Sequence, residues 1–175
     1  MEIRNDTVLT HPRALVYATY RDRLSELVAM LPNIEYLRVL SRRDDGETSF
    51  ILNEWKAKGE IPEVAQRWIK PEMLRWKDHA TWHGARWDVD WRLEMAFMQD
   101  RVSVAGTNRF VDLGPSRTRL ELRGDLTIDA RGMPGVPRLL AGKFGAIVER
   151  FVLGLVQPNL VKTGEALQRF LDEGR

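Results

Sequence analysis

Between Trp87 and Phe97, the apolar side chains Trp87, Val89, Trp91, Leu93, Met95 and Phe97 alternate with Asp88, Asp90, Arg92 and Glu94, and finally with Ala96. Successive side chains of a strand point to opposite faces, so this period of two predicts a half-buried strand. Just upstream, Leu74, Trp76, Asp78, Ala80 and Trp82 share one parity, and Arg75, Lys77, His79, Thr81 and His83 share the other. The intervening His83-Gly84-Ala85-Arg86 supplies a turn, and the pair reads as a hairpin. The same period returns from Thr118 to Ile128, with Leu120, Leu122, Gly124 and Leu126 on one side. A looser alternation fills 101–113, with Val102, Val104, Gly106, Asn108 and Phe110 sharing a parity. Connections this short predict a four-stranded antiparallel meander. Two further strands, 34–42 and 48–57, flank Arg43-Asp44-Asp45-Gly46-Glu47, whose Asp-Gly pair is a hairpin signal.

Helical spacing is confined to the ends of the chain. Leu24, Leu27, Val28 and Leu31 follow i, i+3, i+4, i+7 and stop at Pro32, and Pro12 opens the first turn of a short helix running through Tyr17. After Gly132-Met133-Pro134-Gly135-Val136-Pro137, an apolar stripe of Leu140, Phe144, Ile147, Val148, Phe151, Val152 and Leu155 predicts a long amphipathic helix. The stripe resumes at Leu160, Leu167, Phe170 and Leu171, and Pro158 is expected to kink or divide the helix. Nothing resembling an internal repeat or a domain linker interrupts residues 1–175, which are read as one domain.

Composition narrows the function classes. Lys and Arg (27) nearly balance Asp and Glu (25), for a net charge of +2 and no long run of one sign, so nucleic acid is not the expected partner. A 43% hydrophobic content without a long apolar run predicts a globular protein with no integral membrane segment. The first residues carry no apolar signal core, which makes a cytoplasmic location the expectation. With no cysteine, disulfides, thiolate catalysis and Cys-ligated zinc are excluded. Walker and Gly-x-Gly-x-x-Gly loops and a Gly-x-Ser-x-Gly elbow are likewise missing, so no cofactor is expected. His79 and His83 have the four-residue spacing that presents two metal ligands on a helix. On a strand they stand about 13 Å apart and face outward, so no metal site is expected.

Asp78 is the residue that the alternation singles out, because its parity sends a carboxylate into the apolar row of Trp76, Ala80 and Trp82. Such a group needs a partner or acquires a raised pKa suited to acid/base chemistry or to a polar ligand. Asn108 and Glu54 are candidates to join it from other strands. Trp82 and Trp87, nearest the turn, are expected in the core, Trp76 and Trp91 are equally suited to core or cavity, and Trp55 and Trp68 have no clear place.

A lone first strand (residues 3–10), two short helices, a run of strands and one long C-terminal helix resemble the START-like, helix-grip superfamily, also called SRPBCC. Arg123-Gly124-Asp125-Leu126-Thr127-Ile128, the Gly/Pro loop and Ala141-Gly142-Lys143-Phe144 with Glu149 are similar to a group of bacterial members. The resemblance implies an α+β fold in which a curved antiparallel sheet wraps around the last helix. It also implies a cavity between them for a lipid-like or polycyclic ligand, in a superfamily of carriers, sensors and enzymes. The sheet wall would then draw on Trp76, Trp91, Leu93, Val104 and Phe110, continued by Leu120 and Leu122. Phe144, Ile147, Val148 and Phe151 would face it from the helix, with Asp78 and Asn108 as polar contacts and the mouth near 132–137. An apolar ligand carrier and a cofactor-independent cyclase or dehydratase using Asp78 both fit this picture. The oligomeric state is open, with a homodimer as one option.

Overall fold

Buried and exposed side chains alternate along the strands with the predicted parity: Trp76, Asp78, Ala80 and Trp82 are buried in one row, and Leu120, Leu122, Gly124 and Leu126 in another. The computed structural model describes residues 1–61, 63, 66, 70–96, 101–129 and 141–174, without the side chains of 141, 155–157, 160 and 161. In chain order the elements are β1 (Glu2–Leu9), α1 (Arg13–Asp22), α2 (Leu24–Leu27), β2 (Ile34–Asp45) and β3 (Thr48–Ala57). They continue with β4 (Arg75–His83), β5 (Asp88–Met95), β6 (Val102–Asp112), β7 (Thr118–Ile128) and α3 (Ala141–Asp172).

The strands form one antiparallel seven-stranded sheet in the order β1-β7-β6-β5-β4-β3-β2. Strands β2 to β7 follow one another as a meander, while β1 returns to pair with the last strand, Ile3 opposite Gly124 and Leu9 opposite Thr118. The chain must therefore pass from one edge of the sheet to the other between β1 and β2. Helices α1 and α2 make that passage and pack on β6, β2 and α3. Two register shifts in β2, at Ile34/Tyr36 and Val39/Ser41, are irregularities of the kind that sharpen strand twist and help a sheet curve.

Three local features differ from the sequence reading. Trp87 is not the first residue of β5 but closes the turn before it, in the left-handed region at φ 58°. Its indole is held there by the edge of Tyr17 and by the Arg13 guanidinium, 4.6 Å from the ring centroid. Pro158 does not divide α3, which runs unbroken from Ala141 to Asp172. Proline removes one bond, to the carbonyl of Gly154, and buried Phe151 and Val152 before it and Leu167 and Phe170 after it hold both halves in place. Strand β2 extends past Arg42 to Asp45, where Gly46 turns the chain at φ 59°.

Helix α3 lies across β1 and β7. Its close approach depends on Gly164, where a Cβ would stand 2.5 Å from Thr7 Oγ1 and 2.8 Å from Thr7 Cβ. Gly164→Ala improves helix propensity by about 1 kcal/mol, yet overpacking against a stiff threonine costs about 1–3 kcal/mol. A lower urea midpoint than the natural protein is the expected outcome, and an unchanged or higher midpoint would show that α3 can move away freely.

Candidate functional site: a polar belt and a hollow between two cores

The inner face of the sheet is apolar at its two ends and interrupted in the middle. One core gathers Ile3, Ile34, Trp76, Met95, Val104 and Leu126 with Phe144, Val148 and Phe151 of α3. A second gathers Leu9, Tyr17, Tyr20, Ile51, Trp82 and Phe110 with Leu167 and Phe170. Between them, each inner row places something other than an aliphatic side chain. Asn53 stands between Ile51 and Trp55, Asp78 between Trp76 and Ala80, and Trp91 between Val89 and Leu93. Gly106 and Asn108 separate Val104 from Phe110, and Gly124 separates Leu122 from Leu126. Register joins these positions in two groups, Asn53 opposite Asp78, and Trp91 and Gly124 each opposite Gly106; between the groups Asp78 faces Leu93 and Trp91 faces Ala80, a step of two residues.

A hollow of about 120 Å³ occupies this middle level. An engineered cavity of about 150 Å³ holds benzene, so the enclosed part of this space takes at most one small ring. The sheet contributes Asn53, Trp55, Trp76, Asp78, Trp91 and Asn108, and Asn159 and Thr163 of α3 face it. Tyr20, Trp82, Val89 and Leu93 complete most of the apolar wall. The solvent-exposed lining residues, Asp22 and Ser25 at the α1–α2 junction and Val39 of β2, mark the mouth of the hollow. Across that mouth Asp22 accepts hydrogen bonds from Arg21 and, at 2.8 Å, from Arg42 of β2. The Arg21 hydrogen bond first, and Arg42 with it, hold the Asp22 carboxyl below its usual range.

Asp78 is 8% exposed and is the only acidic side chain on the inner wall away from the mouth, among the described residues. Its Oδ2 accepts from Asn53 Nδ2 at 3.3 Å and from Trp55 Nε1 at 3.4 Å. Its buried Oδ1 has no hydrogen-bond partner among the described residues. Burial pushes the carboxyl up to about 6, against the smaller opposing effect of those two donors. Tyr20 is also pushed up, by burial and then by the Asp78 charge.

The indoles divide between packing and lining. Trp55 and Trp76 are cross-strand neighbours stacked at 6.0 Å with planes 8° apart, and both border the hollow. Trp91 lies over Gly106 and Gly124, the two positions where any side chain would collide with its ring, and its Nε1 donates to Asn108 Oδ1 at 2.8 Å. Trp82 belongs to the second core, edge-on to Tyr17 at 5.3 Å and Tyr20 at 5.7 Å, and its other side borders the hollow. Trp87 packs in the turn, away from it.

Of the residues singled out from sequence, Trp76, Asp78, Trp91, Leu93 and Asn108 meet at the hollow. Val104, Phe144, Val148 and Phe151 lie instead in the first core, and Phe110, Leu120 and Leu122 in the second. Ile147 is half-buried on α3 and is not part of the lining. The physical reason is that the ends of the sheet are filled, by α3 at one end and by α1 with the tail of α3 at the other. Glu54 also stays out of the hollow: it faces the other side of β3, where its carboxylate accepts from Tyr36 at 3.0 Å, and Asn53 takes the inner place. His79 and His83 lie on that outer face and meet Glu94 and Asp90 of β5 at 3.0 and 3.1 Å. The loop at 132–137, Trp68, Phe97 and Leu140 lie outside the described residues, as do the side chains of Leu155 and Leu160. The sequence reading did not find Tyr20, Asn53, Trp55 or the mouth. Asn53 was recoverable from the parity of Ser49, Ile51 and Asn53. Tyr20 was recoverable as the i+4 neighbour of Val16 had the first helix been extended.

No protein-family model matches this sequence, and no curated protein matches it. Solved structures do match in shape. The Zhui aromatase/cyclase from Streptomyces sp. R1128 superposes with a TM-score of 0.68 at 18% identity, over 99% of this chain and 94% of that one. TTHA0849 from Thermus thermophilus gives 0.65 at 19% identity, over 95% and 97% of the two chains. Norcoclaurine synthase from Thalictrum flavum gives 0.64 at 15% identity, over 99% and 87%. The chain has the START-like helix-grip fold: a curved seven-stranded antiparallel sheet closed by a C-terminal helix. Among the described residues, no helix is long and apolar enough to cross a membrane.

Proposed function

We propose that this protein binds a compact apolar or amphipathic small molecule in the hollow between the sheet and α3. The observation that carries this reading is the break between the two cores. A fold that fills both ends with close-packed apolar side chains keeps its middle level open, walled by aromatic rings and a few polar groups. That composition, mostly apolar with a small number of placed polar atoms, is the one small-molecule sites share. Transfer of the ligand from water contributes about 0.8 kcal/mol for each methylene buried. Native mass spectrometry and solvent extraction of the purified protein, followed by calorimetric titration of whatever is released, test the proposal. A filled interior, with nothing retained and nothing binding, would refute it.

Ala80 provides a sharper check, because its methyl group borders the hollow opposite Trp91. Ala80→Leu adds three carbons to the space a ligand needs. Affinity for the extracted ligand is expected to fall at least tenfold, about 1.4 kcal/mol. The thermal transition should remain cooperative, since the added atoms enter free volume. Unchanged affinity would place the ligand elsewhere.

One observation favours a second reading, a cofactor-independent enzyme of the cyclase or dehydratase kind. Asp78 is pushed up to about 6 by burial, borders the same volume as Asn108, and is tied to no arginine or lysine among the described residues. Two of the structural relatives are enzymes by name, an aromatase/cyclase and norcoclaurine synthase. A general acid or base of about this strength transfers protons efficiently at physiological pH. If the released ligand is turned over, Asp78→Asn should lower kcat by about 10²–10⁴, over and above any loss of ligand affinity.

A further inference from the structure

The charge balance of the hollow specifies its occupant more closely. The lining carries one cationic side chain among the described residues, Arg21, and that guanidinium binds both oxygens of Asp22 at 2.8 Å. Arg21 and Asp22 therefore neutralise each other at the mouth, and Arg42 adds a second cation to Asp22 from outside. Asp78, deeper in, has only neutral donors on one oxygen and no partner on the other. A buried carboxylate is ordinarily paired with a cation or fully hydrogen-bonded, because an isolated one is costly. Around it stand the faces or edges of Trp55, Trp76, Trp82 and Trp91. Indole attracts a cation more strongly than the other aromatic side chains, and aromatic cages of this kind hold ammonium groups.

Resting on the reading that the hollow binds a small molecule, we infer that its ligand is an organic cation, a protonated amine on a single ring or similarly compact apolar body. The ammonium supplies the cation that the Asp78 carboxylate lacks, and the ring fills the space among the indoles. A neutral ligand would leave the carboxylate unpaired, and an anionic one would face both Asp78 and the ring faces with like charge. The belt has acceptors to complete the ammonium's hydrogen bonds, since the side chains of Asn53 and Asn108 each carry a carbonyl oxygen. Ring size follows from the volume of about 120 Å³.

Three probes of one shape and different charge test this: phenethylamine, phenethyl alcohol and 3-phenylpropanoate, each titrated calorimetrically into the purified protein at pH 7.5. The ammonium is expected to bind at least about tenfold more tightly than the alcohol, and the carboxylate not to bind measurably. Asp78→Asn should abolish that preference and leave the alcohol's affinity almost unchanged. The amine's affinity should also fall as pH drops below about 6, where Asp78 takes up a proton. Of the groups facing or near Asp78, Tyr20 from α1 titrates far above this range, His79 on β4 pairs outward with Glu94, and Arg21 and Asp22 remain paired at the mouth. If the alcohol or the carboxylate binds the natural protein as tightly as the amine, the inference is overturned and the small-molecule reading stands. If none of the three binds and no other ligand is retained, both fall. The comparison among probes on the natural protein decides the matter even if the variant does not fold.

Discussion

Gly106→Ala is expected to cost more than about 3 kcal/mol, a large share of the roughly 5–15 kcal/mol that keeps a domain folded. A Cβ at this position would stand 2.1 Å from the carbonyl oxygen of Arg123, 2.7 Å from Gly124 Cα and 2.5 Å from Trp91 Cζ2. The first two atoms are backbone of β7, locked to β6 by a register that runs without a break from Val102/Ile128 to Asp112/Thr118. Neither strand can retreat without breaking the ladder on both sides of the glycine. Gly124→Ala is the informative control. Its Cβ would meet Trp91 Cη2 at 2.7 Å and Cζ2 at 2.9 Å, with the Ala105 carbonyl at 3.0 Å. Most of that conflict is with a ring that borders open volume and can tilt into it. Gly124→Ala should cost about 1–3 kcal/mol, lengthen the Trp91 hydrogen bond to Asn108, and shrink the hollow. Urea titrations followed by tryptophan fluorescence separate the two variants, and equal midpoints would mean that the glycine pair does not set the closeness of β6 and β7.

The contrast between these neighbours shows what a sequence can and cannot state. Parity alone put Trp91, Asp78 and Asn108 on one face, because a strand's period is fixed by backbone geometry. It also put Val104, Phe110, Leu120 and Leu122 there, and these do share the inner face. What parity cannot give is depth along the strand. Whether an inward residue meets a hollow or a packed core depends on what covers it, and the cover comes from helices distant in sequence. Leu122 is covered by the second core, whereas Gly124, two residues on, lies beneath Trp91. The same limit hid Asn53, whose meaning depends on standing opposite Asp78 in the β3/β4 register. Asn53 opposite Asp78, and Trp91 laid over the opposed pair Gly106 and Gly124, are nonetheless a readable signal once the register is known. In a sheet whose ends are apolar, that middle level is where packing is interrupted.

The interruption has an energetic signature in Asp78→Asn. A carboxyl raised from 3.8 to about 6 in the folded state is bound to its proton more tightly there than in the unfolded chain. Below about pH 4 the group is neutral in both states and carries no ionic penalty. As pH rises from about 4 to 6 the unfolded chain loses the proton first, so stability falls with pH across that window and stays lower above it. Moving the carboxyl from 3.8 to about 6 corresponds to about 3 kcal/mol. Asparagine has no such titration, while its side-chain oxygen can still accept from Asn53 and Trp55. Its amide N–H groups would occupy the Oδ1 position, which has no partner, and this adds a cost of about 1–3 kcal/mol that does not vary with pH. The stability of the variant relative to the natural protein should therefore rise by about 2–2.5 kcal/mol between pH 4 and pH 8, whatever the fixed offset. Asp22 and Asp90 are held below their usual range, chiefly by hydrogen bonds from Arg21 and Thr107, and destabilise the fold when protonated in acid. Both proteins share those groups, so their effect cancels in the difference. Urea midpoints measured at intervals across that range give the two curves. If they run parallel, Asp78 is ionised as easily in the fold as in water, and the middle of the sheet is wetter than its indole walls imply.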